Sequence, residues 1–229
     1  MGIDRLDALT FIQHSGYIDV IVRNVVTDAK VYRAEFAAHH LNITLSFVPV
    51  SPSLVGTLVY AGGSGNSAGQ IKTITAKGRC WTGGGGYECP VGIRIPAGFH
   101  GRAQFTFGRA ARPGEQYEST GSVTARGEAM HGLSYQGKTV AAVLATLAAR
   151  HVTVAQYRYQ GANQDMCGTL PGHIPGGWLV NNADPWAPGQ VLLWVGPPAG
   201  GTQPRCASNG IQAPVPKASP TGVVPSPAG

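Results

Sequence analysis

The stretch TVAAVLATLAARHVTVAQYRY, residues 139–159, holds the strongest helix signal of the chain and runs directly into a strand signal. Alanine and leucine, two residues with high helix propensity, dominate residues 139–150. The following residues, 151–159, alternate in the way that is typical of a half-buried strand. The stretch therefore predicts a helix that is followed at once by a β-strand.

A similar junction occurs earlier in the chain. Residues 36–43 (FAAHHLNI) align with residues 147–154 (LAARHVTV) at a constant offset of 111, and Ala37, Ala38 and His40 are identical to their counterparts. A fixed offset of this kind favours a duplicated unit. Chance agreement between two short helix-to-strand junctions is the alternative.

The residues around this first junction predict a strand–helix–strand unit. Asp28 is a suitable N-cap for a helix over residues 29–40. Alternation, interrupted by Pro49 at the end of the second segment, predicts strands at residues 17–26, 41–50 and 53–60.

The middle of the chain has a different texture. Residues 62–69 (GGSGNSAG) have the composition of a flexible linker. Glycine and proline turns then separate short strand candidates at residues 71–75, 91–95, 103–107 and 119–125. From Pro198 to Gly229 the chain is rich in proline and glycine and holds hardly any large apolar residue, which predicts a disordered tail.

Positive charge is concentrated in one segment. Residues 71–112 hold seven basic residues and one acid, Glu88, so that this segment alone equals the formal net charge of +6 of the whole chain. The basic residues are Lys72, Lys77, Arg79, Arg94, Arg102, Arg109 and Arg112. A field of one sign attracts anionic partners. No helix-turn-helix, RNA-binding or zinc-finger motif accompanies it, which argues against specific nucleic-acid binding; a solvated basic surface is the plain alternative.

The four cysteines form no C-x-x-C pair, which counts against a zinc ribbon or a thioredoxin-like site. Cys80 and Cys89 flank four consecutive glycines, and a disulfide would clasp this loop. We therefore expect a Cys80–Cys89 disulfide, with two free thiols as the alternative. Pairing of Cys167 with Cys206 remains open, because Cys206 lies in the predicted tail. Disulfides indicate an oxidising compartment.

Aromatic residues are interleaved with the cations of residues 71–112. Phe105 and Phe107 are expected in the core face of a strand, whereas Trp81 and Tyr87 lie in the glycine loop and are expected to be exposed beside cations. The predicted ligand-binding residues are Lys77, Arg79, Trp81, Tyr87, Arg94 and Arg102.

Motifs for catalysis and cofactor binding are missing from the sequence. The glycine run lacks the lysine and hydroxyl of a phosphate-binding loop, and no G-x-S-x-G motif occurs. None of the seven histidines forms a pair with zinc-enzyme spacing. We therefore expect no catalytic residue, no metal and no cofactor. Glu115 and Glu118 are acids that a glycoside hydrolase could use, but their sequence spacing does not define a distance.

Residues 131–196 resemble a PASTA domain, the small extracytoplasmic module of bacterial cell-wall kinases and transpeptidases. The resemblance rests on Gly137-Lys-Thr-Val140 before the helix, Leu144 and Leu147 within it, Val152-Thr-Val154, Trp178-Leu-Val180, Pro185, Pro188-Gly189 and Val191–Val195. It implies a strand, a Pro/Gly turn and a final strand after the helix, and contact with muropeptides or peptidoglycan. The link from Gln160 to Gly177 is longer than the family's pattern.

Most of residues 9–196 also resemble a group of uncharacterised actinobacterial proteins, which typically have a membrane anchor ahead of an exported domain. The matching residues are Tyr17–Arg23, Pro49–Gly56, Cys80 to Gly92 and Trp186–Trp194. This resemblance implies export and no particular activity. Met1–Gly16 lacks the basic and apolar regions of a signal peptide, so an exported chain would need an anchor upstream; a cytoplasmic location is the alternative.

We therefore predict an α+β protein with a strand–helix–strand unit (1–61), a Gly-rich basic β subdomain (62–130), a PASTA-like α/β unit (131–197) and a disordered tail (198–229). The function expected is that of a non-catalytic extracytoplasmic binding or sensory domain of an actinobacterial envelope protein. Its partner would be an anionic cell-wall polymer, with the membrane reached only through the anchor. The alternatives are a protein–protein interaction module of a signalling protein and an envelope-polymer hydrolase.

Overall fold

The computed structural model describes residues 8–25, 28–64, 67–74, 91–162, 164–169 and 172–206, and these form eleven strands and three α-helices. The N-terminal elements are β1 (Leu9–His14), β2 (Tyr17–Val22), α1 (Ala29–Ala38), β3 (Asn42–Val50), a 3-10 turn (Pro52–Leu54), β4 (Leu58–Gly63), α2 (Ser67–Gln70), β5 (Lys72–Ile74), β6 (Gly92–Pro96) and β7 (Arg102–Ala110). The C-terminal elements are α3 (Val140–Ala148), β8 (Thr153–Gln160), β9 (Met166–Thr169), β10 (Leu179–Ala187) and β11 (Gln190–Gly196). The fold is mixed α+β, as predicted.

The N-terminal strands form two sheets around one core. Sheet A is fully antiparallel with the order β1-β2-β6-β5, and sheet B has the order β3-β7-β4. Their apolar faces meet each other and helix α1: Val20 and Ile93 of sheet A, Leu45 and Phe105 of sheet B and Phe36 of the helix are each at most 1% exposed. Burying a side chain of this size stabilises the fold by about 2 kcal/mol.

The shared core changes the predicted domain division. β6 pairs with β2 and β7 pairs with β3, so strands predicted for a separate middle subdomain complete the sheets of the first unit. The predicted boundary between residues 61 and 62 therefore does not separate two cores. Local patterns place these strands correctly but carry no information about partners roughly sixty residues away.

A second core belongs to the C-terminal residues. Helix α3 begins after Thr139, whose hydroxyl accepts a hydrogen bond from the N–H of Ala142, and it packs Val143 and Leu147 against sheet C. Sheet C has the order β10-β11-β8-β9. The helix, the following strand and the final hairpin over Pro188–Gly189 occur in the predicted order.

Sheets B and C share one topology. In each, the strand after the helix (β3 or β8) pairs in parallel with the last strand (β7 or β11), which pairs antiparallel with a strand that lies between them in sequence (β4 or β10). Helices α1 and α3 are each followed, within three residues, by a histidine with left-handed backbone: φ is 56° at His40 and 57° at His151. The offset of 111 residues thus relates equivalent positions in two similar units, which supports duplication.

Several predicted elements need correction. Residues 53–60 form the 3-10 turn and the start of β4 rather than one strand, because Gly56 adopts a positive φ of 75°. Residues 119–125 form turns with a single bridge at Ser119. Pro49 does not end β3, which runs to Val50, since an edge strand tolerates the missing N–H of proline. β1 was not predicted.

The sequence predicts a disordered tail from residue 198 onward, but the structure describes the chain up to residue 206. Residues 198–206 are tied to the C-terminal unit, because the N–H of Ala162 donates to the carbonyl of Pro204 (3.0 Å) and Cys206 forms a disulfide with Cys167. The open question of this pairing is therefore answered. Residues 207–229 and the predicted Cys80–Cys89 disulfide lie outside the described residues.

The two units meet at a buried carboxylate. Glu128, which is 5% exposed, accepts hydrogen bonds from the hydroxyl of Ser51 (2.7 Å) and the backbone N–H of Ser53 (2.8 Å) at one of its oxygens. The Ser51 hydroxyl in turn accepts from the N–H of Gly121 (2.9 Å). A charged acceptor placed at the start of the 3-10 turn satisfies donors that would otherwise be buried without partners.

An apolar cavity of about 180 Å³ lies beside this joint. Its lining comes from both units and from the chain between them: Val50, Pro52, Val55, Ala110, Ala111, Tyr117 and Pro188. It is smaller than the roughly 300–1,000 Å³ of typical ligand pockets. Burial, with a smaller contribution from the charge of Glu128, raises the pKa of Tyr117 to about 12.

Candidate anion-binding surface

The outer face of sheet A carries a cluster of cations and rings. Side chains alternate along a strand, so the same alternation that buries Val20 and Ile93 turns their neighbours Asp19 and Arg94 to the opposite side. The residues that define this surface, called the basic face below, are His14, Tyr17, Asp19, Lys72 and Arg94.

Arg94 and Asp19 form a two-pronged ion pair across β6 and β2. The Nε of Arg94 donates to one carboxylate oxygen at 2.7 Å, and one of its terminal nitrogens donates to the other at 2.8 Å. These hydrogen bonds hold the pKa of Asp19 below its usual value and raise the pKa of Arg94. The pair fixes the guanidinium in place while 42% of the arginine side chain remains exposed.

Tyr17 packs against both neighbours on the basic face. The ring of His14 stacks on the Tyr17 ring with centroids 4.4 Å apart, and the guanidinium carbon of Arg94 lies 4.1 Å from the Tyr17 centroid. The Nε2 of His14 is 3.5 Å from a carboxylate oxygen of Asp19. Cation–π contact and the ion pair together preorganise Arg94.

Lys72 lies directly opposite Arg94 in the pairing of β5 with β6. Like charges in this position repel each other and destabilise a sheet. Asp19 forms its ion pair with Arg94. Lys72 has no ion-pair partner within the described residues. The exposed ammonium and the outward N–H groups of the guanidinium are therefore available to an external anion.

Two of the seven cations counted in residues 71–112 form ion pairs with acids from outside that segment, so the segment carries less unpaired positive charge than its sequence indicates. Arg109, which is 7% exposed, is paired with Glu115 through two hydrogen bonds of 2.6 and 3.0 Å. Glu115 lies three residues beyond the counted segment, as Asp19 lies before it. Counting acids only within residues 71–112 thus overlooked two partners that folding brings to Arg94 and Arg109.

The structure places only part of the predicted binding set on this surface. Arg94 is on the basic face, whereas Arg102 is exposed at the start of β7 on sheet B, away from it. Four predicted residues lie outside the described residues: Lys77, Arg79, Trp81 and Tyr87. They belong to residues 75–90, which connect β5 to β6, the strands that carry Lys72 and Arg94.

Sequence reasoning missed His14, Tyr17, Asp19 and Lys72 as site residues. Lys72 was counted as charge but not as a ligand residue. The alternation of Tyr17-Ile-Asp-Val already placed Tyr17 and Asp19 on one face. No sequence signal paired that face with β6, so Arg94 could not be joined to it.

Within the described residues, no group of three or more His, Cys, Asp or Glu side chains could hold a metal ion. In the same part of the chain, no helix is long and apolar enough to cross a membrane. Comparison with protein-family models, with curated proteins and with solved structures gives no significant match.

Proposed function

We propose that the chain is a non-catalytic binding domain of an extracytoplasmic cell-envelope protein, and that its basic face contacts an anionic envelope polymer. The observation that carries this proposal is the pair of directly opposed cations, Lys72 and Arg94, at an exposed surface. An anion bound between them removes the repulsion that the free sheet contains.

The face is suited to a polymer rather than to a small ligand that needs a pocket. Its donors lie on a sheet surface, and the guanidinium is held by Asp19 and Tyr17 before the ligand arrives, which lowers the entropic cost of binding. Exposed charges are screened by salt over about 8–10 Å, so contact with a repeating anion should weaken as ionic strength rises.

The extracytoplasmic location is part of the same proposal. The Cys167–Cys206 disulfide favours an oxidising environment. The resemblance to exported actinobacterial proteins points the same way and implies a membrane anchor ahead of the domain. A cell-wall polymer would then be within reach of the basic face.

The test is co-sedimentation of the purified chain with actinobacterial cell walls at low and at physiological salt. Lys72→Gln removes an exposed charge with no ion-pair partner in the described residues and should weaken retention about fivefold at low salt, the equivalent of a surface charge contact. Lys138→Gln is the matched control: it removes the same exposed charge from the C-terminal unit and should change nothing.

Two results would count against the proposal. Walls that retain no protein at either salt concentration would remove the polymer as a partner. Equal retention of the Lys72→Gln and Lys138→Gln variants, both weaker than the wild type, would mean that net charge rather than the basic face is responsible.

A further inference from the structure

The outer face of sheet C carries a second polar cluster, far from the basic face in the chain and on a different sheet. Tyr157, Tyr159 and Leu193 point into the core of the C-terminal unit. The alternation of strands turns Arg158 and Trp194 to the other side, where the two residues are directly opposite each other in β8 and β11.

Trp194 lies between two opposite charges. Its indole N–H donates to the carboxylate of Asp184 at 2.6 Å, and the guanidinium carbon of Arg158 lies 5.3 Å from its ring centroid. Arg158 and Asp184 are on strands that are two positions apart and are offset by two residues along the strands, which gives a Cα separation of roughly 12 Å. They form no salt bridge with each other within the described residues.

Both charges have unused hydrogen-bonding capacity. Within the described residues the half-buried guanidinium of Arg158 donates to no acceptor, and Asp184 accepts only from Trp194, at one oxygen. Next to Arg158 on the same face, Gln156 is 4% exposed and its amide oxygen has no hydrogen-bond partner there. A buried amide oxygen without a donor is costly, so this face holds a polar group that the described chain itself does not satisfy.

The geometry points to a binding site for a short zwitterionic peptide on this face. Its carboxylate would pair with the guanidinium of Arg158, its ammonium with the free oxygen of Asp184, and its backbone would lie over the Trp194 ring. An extended dipeptide places its two charges about 7 Å apart, and this length fits between two side chains that extend toward each other over Trp194 from Cα atoms roughly 12 Å apart.

The test uses alanyl-alanine and three capped forms: acetylated at the amine, amidated at the carboxylate, and capped at both ends. Binding is followed by NMR through the indole N–H signal of Trp194, assigned with Trp194→Phe. We expect the free dipeptide to bind about tenfold more tightly than either singly capped form, because each cap removes one charge-assisted hydrogen bond.

Each variant should then abolish the difference in affinity between free and capped peptide at one end of the peptide only. Arg158→Gln should bind the free and the amidated peptide equally, and Arg158→Lys should restore part of the difference. Asp184→Asn, which keeps an acceptor for the indole N–H, should bind the free and the acetylated peptide equally. Lys30→Gln, at an exposed position of helix α1 in the N-terminal unit, should behave as the wild type.

Absence of any shift at millimolar peptide would overturn the site, since the spectrum itself shows whether the protein is folded. Arg158→Gln and Asp184→Asn variants that weaken all four ligands to the same extent would overturn it too, because the two charges would then act only through the structure of the sheet.

Discussion

Arg109 and Glu115 show how a single pair converts a cation of the basic segment into a structural residue. The Arg109 side chain is 9% exposed and Glu115 is 29% exposed, so the pair is largely shielded from water. The hydrogen bonds from Arg109, and then the backbone N–H of Arg112, lower the pKa of Glu115 to about 2. A carboxylate with a lowered pKa links the stability of the fold to acid pH.

The sign of this linkage follows from the two pKa values of Glu115. In the unfolded chain it ionises near its ordinary value of 4.5, and in the fold near 2. Its stabilising contribution is therefore complete above about pH 4.5 and is lost as the pH falls from there to about 2. Below that range the carboxyl is protonated in both states.

Glu115→Gln should lower the free energy of unfolding by about 2 kcal/mol at neutral pH, because it leaves the buried charge of Arg109 without its partner. The difference from the wild type should shrink as the pH approaches about 2. Urea unfolding at a series of pH values measures it, with Glu118→Gln, an exposed residue of the same segment, as the control. A difference that stays constant through the acid range would contradict the assigned pairing.

The sequence predicts helices over residues 29–40 and 139–150, whereas α1 ends at Ala38 and α3 ends at Ala148. The N–H of Leu41 bonds to the carbonyl of Phe36, and that of Val152 bonds to the carbonyl of Leu147, both at 3.0 Å. These bonds close each helix over the left-handed residues His40 and His151. A side chain at a left-handed position costs about 1–2 kcal/mol, which glycine avoids.

His40→Gly and His151→Gly should each raise the free energy of unfolding by about 0.5–1 kcal/mol, because part of the steric gain is offset by the entropy of glycine in the unfolded chain. Ala149→Gly, where φ is −62°, should instead destabilise by about 1 kcal/mol. Thermal unfolding compares the three. The same sign for His151→Gly and Ala149→Gly would mean that backbone conformation does not decide the effect.

What the sequence could specify is local. Asp28 caps α1 as predicted, and Phe105 and Phe107, expected in the core, are at most 1% exposed. Pairing between distant strands is not local: β2 and β6 are separated by about seventy residues, and only the fold brings Asp19 to Arg94. The sequence therefore predicted the positive charge of the candidate surface but not which residues pair with each other there.

The joint between the two units determines whether the molecule unfolds as one body. Each unit has its own hydrophobic core. Between them lie the bridge of Val50 with Ser119, the hydrogen bond from the N–H of Tyr117 to the carbonyl of Trp186 (3.0 Å) and the buried Glu128 carboxylate. Glu128 places a buried charge in this joint, and it accepts hydrogen bonds from two donors of the other unit.

Glu128→Ala removes the acceptor of the Ser51 hydroxyl and the Ser53 N–H at a site that water does not reach. Each donor left unsatisfied costs about 1–3 kcal/mol, so we expect a loss of about 3 kcal/mol in the free energy of unfolding. Because the lost hydrogen bonds lie in the joint and not in either core, the two units should also unfold independently of each other. The wild type should unfold in one cooperative transition and the variant in two.

Calorimetry detects the split, and hydrogen exchange locates it: amides at residues 51–54 and 119–130 should lose protection before those of β7 or β11. Glu118→Ala, on the exposed side of the same connecting segment, should keep a single transition at nearly the original temperature. A single transition shifted to lower temperature in Glu128→Ala would mean that the apolar contacts around the cavity, and not the carboxylate, couple the two cores.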